Sequence, residues 1–193
     1  MYLDISSNQG AINWKTVKEK HSDIKGVILR ATTKNNQLDV RTKENYEAIL
    51  HNMSDIDEIS VYKFSYAYNY TVARMEAKKC LQTLYKAGVH FDHFYLDLEK
   101  GTKDYTPDEA SAVIMAYKDE LKNWDYPDRF GIYCNYNYLK NVIDPYWYKE
   151  RIWLARYNNT MGDTFGANVK LWQYTSKGRI QGISTNVDLS KEV

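Results

Sequence analysis

Residues 94–99 read Phe94-Tyr95-Leu96-Asp97-Leu98-Glu99. The stretch is apolar except at two alternate positions, is too short for a stable helix, and runs straight into Lys100-Gly101. It therefore reads as a buried β-strand whose far end carries two carboxylates. Helical patterns flank it on both sides. Residues 72–87 form one, ended by Gly88 where a left-handed residue closes the last turn. Residues 107–124 form the other, opened by Thr106 as cap and Pro107 in the first helical position. A buried strand between two helices is the repeating unit of a β/α fold.

The same alternation fills the first two-thirds of the chain. Strands are expected at residues 2–5, 26–31, 59–64 and 130–133, with helices at 14–21 and 43–52. Residues 152–155, 169–174 and 186–189 then read as strands joined by loops rich in Asn, Gly, Thr and Ser. The implied fold class is α/β, a closed parallel TIM-like barrel of about eight strands with its last third nearly all β. A doubly wound open sheet would announce itself by a Gly-rich turn after the first strand, and Ser6-Ser7-Asn8-Gln9-Gly10 is not one. No linker or repeat interrupts residues 1–193, so one domain is expected.

Composition narrows the function. With 26 basic and 25 acidic residues the net charge is +1, and the basic residues are scattered, which argues against a nucleic-acid binder. No apolar run reaches the length of a membrane span. Met1-Tyr2-Leu3-Asp4-Ile5 lacks the basic start and apolar core of a signal peptide. The expectation is a soluble domain that stays in the cytoplasm, leaves by a route without its own signal, or was excised from a longer protein. Cys80 and Cys134 have no metal-ligand spacing and read as two buried thiols, with a single disulfide as the alternative. Aromatic residues are abundant, 18 Tyr and 5 Trp, several of them in runs. Most belong to the core; a minority suit a groove that stacks sugar rings.

Chemistry in a parallel barrel collects at the C-terminal ends of strands, and four carboxylates stand there: Asp4, Asp97, Glu99 and Asp188. Asp97 and Glu99 leave one face of their strand, roughly 6–7 Å apart. Repulsion and desolvation oppose ionising both, so one should stay neutral near pH 7. A neutral acid beside an ionised one is what glycosidic cleavage requires. Any single Asp at a strand end is as well explained by a cap or an ion pair. That explanation is weaker for the only Asp-x-Glu in the chain.

The order of motifs resembles a known family. Asp4-Ile5-Ser6-Ser7-Asn8-Gln9-Gly10 followed by Trp14 is similar to the opening of the glycoside hydrolase family 25 lysozymes, the Chalaropsis-type muramidases. Ile28-Leu29-Arg30-Ala31-Thr32 resembles their second strand, with Asp39 and Asn45 at the next motif positions. Asp97-Leu98-Glu99 resembles their catalytic Asp-x-Glu. Ile132-Tyr133, Trp153-Leu154-Ala155-Arg156-Tyr157, Leu171-Trp172-Gln173-Tyr174 and Val187-Asp188-Leu189 resemble the later blocks. Two places depart from the pattern. Tyr62-Lys63-Phe64 stands where a Tyr-His-Phe element is usual, after acidic Asp55-Ile56-Asp57-Glu58 instead of a glycine turn. The loop Lys34-Asn35-Asn36-Gln37 is polar and free of glycine.

The resemblance implies a flattened barrel of five β/α units followed by mostly strands. It implies Glu99 as general acid, and Asp97 as nucleophile or as the group orienting the substrate's 2-acetamido group. Asp4 and Asp188 would be supporting carboxylates, and Tyr62, Tyr133, Tyr157 and Trp172 would line the sugar groove. The activity implied is an N-acetylmuramidase acting on peptidoglycan glycan strands, needing neither metal nor cofactor. The setting implied is a phage lysin, acting as a monomer or as one module of a longer wall-binding protein. Three rivals carry different signatures. A metal hydrolase would use His90, Asp92 and His93, which precede the Asp97 strand at its wrong end. A cysteine peptidase would need a His beside Cys80 or Cys134. A non-catalytic sugar-binding domain would keep the fold but has no reason to keep an acidic pair that opposes stability.

Overall fold

The computed structural model describes residues 1–101 and 103–193. Eight strands close a barrel in sequence order: β1 (Tyr2–Ile5), β2 (Gly26–Arg30), β3 (Glu58–Phe64), β4 (Phe94–Asp97), β5 (Phe130–Asn135), β6 (Arg151–Ala155), β7 (Val169–Gly178) and β8 (Val187–Glu192). Helices α1 (Trp14–Lys20), α2 (Thr42–Asn52), α3 (Tyr70–Ala87), α4 (Pro107–Asn123) and α5 (Tyr136–Asn141) follow the first five strands in turn. The five β/α units and the β-rich end are therefore present. One feature departs from a parallel barrel. β1 to β7 pair in parallel, but β8 runs antiparallel to both β7 and β1. A hairpin rather than a helix joins β7 to β8, so the chain turns back instead of crossing over.

Local chemistry explains the long helices. Asn69 caps α3 by accepting from Val72 N at 3.0 Å, starting it two residues before the expected position. Gly88 ends it at φ 69°, left-handed as the C-terminal signal requires. Thr106 and Glu109 form a reciprocal capping box at the start of α4.

Inside the barrel, side chains alternate inward and outward along each strand. Leu3, Val27, Leu29, Val61, Leu96 and Ile132 point out and pack beneath the helices. Tyr2, Ile28, Tyr95, Trp153 and Leu171 point in. Trp153 fills the middle, meeting Tyr95 edge-on at 5.3 Å and Tyr133 at 4.5 Å, and donates its indole N–H to Ser190 Oγ at 2.9 Å. The lower end is closed by polar contacts: Arg151 Nε donates to Tyr95 OH at 2.6 Å, and Tyr2 OH donates to Glu192 Oε1 at 3.1 Å. Gly26 and Gly131 make room there, since a Cβ on either would sit 2.3 or 2.7 Å from the ring of Tyr2 or Tyr95. The barrel is a packed core beneath its mouth.

The remaining sequence readings find their places. Cys80 and Cys134 are buried free thiols, and burial raises the Cys80 thiol to about 12. Asp92 accepts from Ile59 N at 2.8 Å, and burial lowers the His93 imidazole to about 4; both belong to the closed end of the barrel. Trp14 Nε1 donates to Asn45 Oδ1 at 3.1 Å, tying α1 to α2.

Candidate active site

The C-terminal ends of the strands bring four acids to one mouth. Asp4 and Asp188 are direct neighbours in the antiparallel β1–β8 pairing, which sets their backbones about 4.5–5.5 Å apart. Asp97 ends β4 and registers with Tyr133 on β5. Glu99 lies just past the strand, in the loop that leads to α4. One further ladder bond, Leu98 N to Tyr133 O at 2.9 Å, anchors the start of that loop.

Electrostatics shows that the four form one cluster. Burial, and then the charges of Asp188 and Glu99, hold Asp4 well above the usual carboxylate range. Burial followed by Glu99 and Asp4 does the same to Asp97, opposed by the charge of Lys63. Glu99 is raised by burial and by Asp188, and Asp188 by burial. Burial and repulsion between neighbouring acids thus oppose ionisation across the mouth, most strongly at Asp4 and Asp97.

Asp97 is the most confined of the four. It is buried, and its Oδ1 has no hydrogen-bond partner among the described residues. A buried acceptor without a donor costs about 1–3 kcal/mol, so its presence at the mouth calls for a functional explanation.

The tyrosines and one glutamine frame the acids. Tyr62 registers with Arg30 and hydrogen-bonds Asp4. Tyr133 and Tyr157 donate to Gln173 Oε1 at 2.9 and 2.7 Å, and Gln173 Nε2 donates to Asp4 Oδ2 at 3.3 Å. Gln173 is fully buried and ties β7 to three other residues of the mouth. Its neighbour Trp172, the residue expected from the sequence, stands on the other face of β7. Trp172 registers with outward-facing Leu154, donates its indole N–H to Arg156 O at 2.8 Å, and lies under the Lys191 ammonium at 4.6 Å. It braces the β6–β7 loop from outside and does not line the mouth. Arg30 was also missed as a site residue. It is held by Asp39, to which its Nε donates at 2.6 Å, and it gives Nη2 to Ser7 Oγ at 2.9 Å.

The expectation that Asp97 and Glu99 share one face of a strand needs refining, because they open onto different hollows. Asp97 lines one of about 210 Å³ with Arg30, Thr32, Lys34, Tyr62 and Tyr66. Glu99 lines another of about 280 Å³ with Tyr133, Tyr136, Asn137, Arg156 and Tyr157. A larger cavity of about 710 Å³, between Ile12, Asn52 and Ile183, is lined by none of the four acids. The two smaller hollows thus flank the Asp97–Glu99 segment, one on the side of each acid.

Solved structures share this fold. The modular autolysin LytC from Streptococcus pneumoniae, solved with a synthetic peptidoglycan ligand, has a TM-score of 0.86 at 27% identity, covering 98% of this chain and 45% of that one. The CTP1L endolysin has a TM-score of 0.80 at 25% identity, covering 100% of this chain and 66% of that one. The catalytic domain of endolysin ply40 from bacteriophage P40 of Listeria monocytogenes shares the fold, with a TM-score of 0.76 at 22% identity over 100% of this chain and 92% of that one. The chain thus spans under half of the LytC chain. None of the curated proteins matches it. The family model for glycosyl hydrolases family 25 matches residues 3–183, which take in β1 to β7 with Asp4, Asp97 and Glu99, and the chain belongs to that family of glycoside hydrolases.

Proposed function

We propose that the protein is an N-acetylmuramidase that hydrolyses the β-1,4 bond from N-acetylmuramic acid to N-acetylglucosamine in peptidoglycan. The observation that carries the mechanism is the buried, unpartnered Oδ1 of Asp97. Muramic acid carries a 2-acetamido group whose N–H is the donor this oxygen lacks. With the muramyl ring in the Asp97 hollow, that N–H is bonded by Asp97 and the acetamido oxygen is turned toward the anomeric carbon.

The bond also moves the shared proton. In the free enzyme, burial without a partner favours the neutral form of Asp97. A donated N–H favours its carboxylate, and the new charge raises Glu99 in turn. Substrate thereby helps to load the proton onto Glu99, where it is needed. Glu99 gives that proton to the leaving N-acetylglucosamine oxygen as the acetamido oxygen closes on C1, forming an oxazolinium ring with no sugar–enzyme bond. Glu99, now a carboxylate, takes a proton from water as the water opens the ring at C1. The configuration is retained. Asp4 and Asp188 keep the mouth acidic, and Tyr62, Tyr133 and Tyr157 contact the sugars. The likeness to a peptidoglycan-bound autolysin and to endolysins supports this substrate and a role in wall lysis after release from a bacterial host, as in a phage lysin.

Product analysis tests the reading. Digested peptidoglycan should show new reducing ends on N-acetylmuramic acid, no new amino groups, no effect of EDTA, and a first-formed product of retained configuration by NMR. Reducing N-acetylglucosamine or free amines would overturn the activity. An inverted product, or a glycosyl adduct on Asp97 seen by mass spectrometry, would overturn the role given to Asp97.

A further inference from the structure

A second hollow adjoins the Asp97 side of the mouth. The 34–36 segment leaves β2 through a tight turn, with Asn36 left-handed at φ 57° and its N donating to Thr33 O at 3.0 Å. Thr83 Oγ1 on α3 donates to Asn36 O at 3.0 Å, docking the segment on that helix. Between segment and helix lies a cavity of about 280 Å³ that takes in Lys34, Asn36, Val72, Met75 and Lys79.

The chemistry of this hollow is unusual for a surface groove. Lys34 and Lys79 are exposed, and among the described residues neither has a carboxylate within ion-pair distance. Among the described residues the one acid lining the cavity, Glu76, is buried and already occupied by Ser65 Oγ at 2.7 Å, Tyr117 OH at 2.9 Å and Lys63 at 3.5 Å. Val72 and Met75, 50% and 55% exposed, share the helix face that leads to Lys79. Asn36 Oδ1, beside them, is buried without a partner among the described residues. Two cations without a carboxylate partner, one of them Lys34 over the Tyr66 ring at 5.2 Å, together with exposed apolar side chains match a short peptide bearing carboxylates.

Position selects the peptide. Lys34 and Tyr66 line both this cavity and the Asp97 hollow, so the two spaces meet at that pair. A muramyl ring with its C2 acetamido group on Asp97 carries its lactyl ether on the adjacent carbon, C3. The peptide stem joined to that lactyl group leaves the ring on the same side, toward Lys34. We infer that the hollow between the 34–36 segment and α3 binds the peptide stem of the glycan, with Lys34 and Lys79 holding stem carboxylates. The inference rests on the muramidase reading of the mouth.

Two measurements test it. Lys79→Glu should lower kcat/KM about five- to tenfold on peptide-bearing glycan and leave it unchanged on the same glycan stripped of stems by an amidase. No loss on the peptide-bearing glycan, or an equal loss on both, would overturn the stem site. The second measurement needs no catalysis, so it stands even if the muramidase reading fails. Soluble stem peptide at millimolar concentration should shift the backbone NMR signals of Lys34, Asn36 and Lys79 in the wild-type protein and not in Lys79→Glu. Absence of shifts there would overturn the inference, whereas failure to cleave either glycan would overturn only the activity.

Discussion

Asp97→Asn should make the protein more stable and less active, and the gain in stability should depend on pH. Asp97 is buried among acids, with one oxygen lacking any donor. The asparagine variant carries no charge to repel Glu99 and Asp4, and its amide N–H can donate to either. An ionised Asp97 whose oxygen has no donor costs about 1–3 kcal/mol, a cost the neutral amide does not carry. For a chain of this size that corresponds to a rise in Tm of roughly 2–12 °C. The sign of the pH dependence follows from burial. An unfolded Asp ionises near pH 4, whereas the native Asp97 carboxyl is held well above that by burial, Glu99 and Asp4. Between those two pKa values the native state binds more protons than the unfolded chain, so wild-type stability falls as pH rises. The variant escapes that fall. Its advantage should be small below about pH 4 and full above the native pKa of Asp97. Thermal unfolding of both proteins from acid to mildly alkaline pH, followed by circular dichroism, measures the difference directly. An advantage equal at all pH values, or a variant less stable than wild type at alkaline pH, would refute the reasoning. Wall lysis at the wild-type rate would remove Asp97 from the mechanism.

Three further outcomes are expected. Glu99→Gln should reduce lysis by about 10²–10⁴-fold with an unchanged circular dichroism spectrum; wild-type clearing of cell walls would exclude Glu99 as the acid. Trp172→Phe should lose about 1 kcal/mol in urea unfolding, from the bond to Arg156 O, with KM unchanged; a large rise in KM would place the ring in the sugar groove after all. Lys63→Met should destabilise by about 3–5 kcal/mol, because it strips buried Glu76 of its cation and Thr33 O of a donor at 2.8 Å. It should also move the acidic limb of the pH–rate profile upward, since the Lys63 charge is what opposes the rise of Asp97; an unmoved limb would show that Asp97 does not set it.

Much of this architecture was legible in the sequence because the physics behind it is local. Short apolar runs between capped helices specify β/α units whatever the rest of the chain does, and the capping box at Thr106 and the left-handed Gly88 stand where expected. The direction of β8 was not legible. Alternation of apolar and polar residues is the same read either way along a strand, and only the pairing with β7 and β1 reveals that the strand is reversed. Helix α5 was missed because six residues rich in Tyr and Asn have weak helical propensity; its one signal was the cap Asn135, which accepts from Tyr138 N at 3.0 Å.

The site divides along the same line. Carboxylates at strand ends stand out because burying them opposes stability, so each needs an explanation. Gln173 does not stand out, because a neutral amide beside a tryptophan attracts less attention than the ring. Parity could have decided between them. Leu171 points into the barrel, so Gln173 must follow it and Trp172 must face out. What defeats parity as a general guide here is irregular pairing: the register shifts between Ile152 and Trp153, and again after Gln173. Each shift changes which neighbouring strand positions share a face. Counting by twos from a distant, securely placed residue therefore fails across β6 and β7, whereas counting from the nearest buried neighbour succeeds. The same rule explains Glu99. Counted along β4 it shares a face with Asp97, but the strand ends at Asp97 and the loop beyond is free to turn. That turn gives Glu99 a hollow of its own, separate from that of Asp97, which is the separation the proposed mechanism uses to set a different acid beside each sugar.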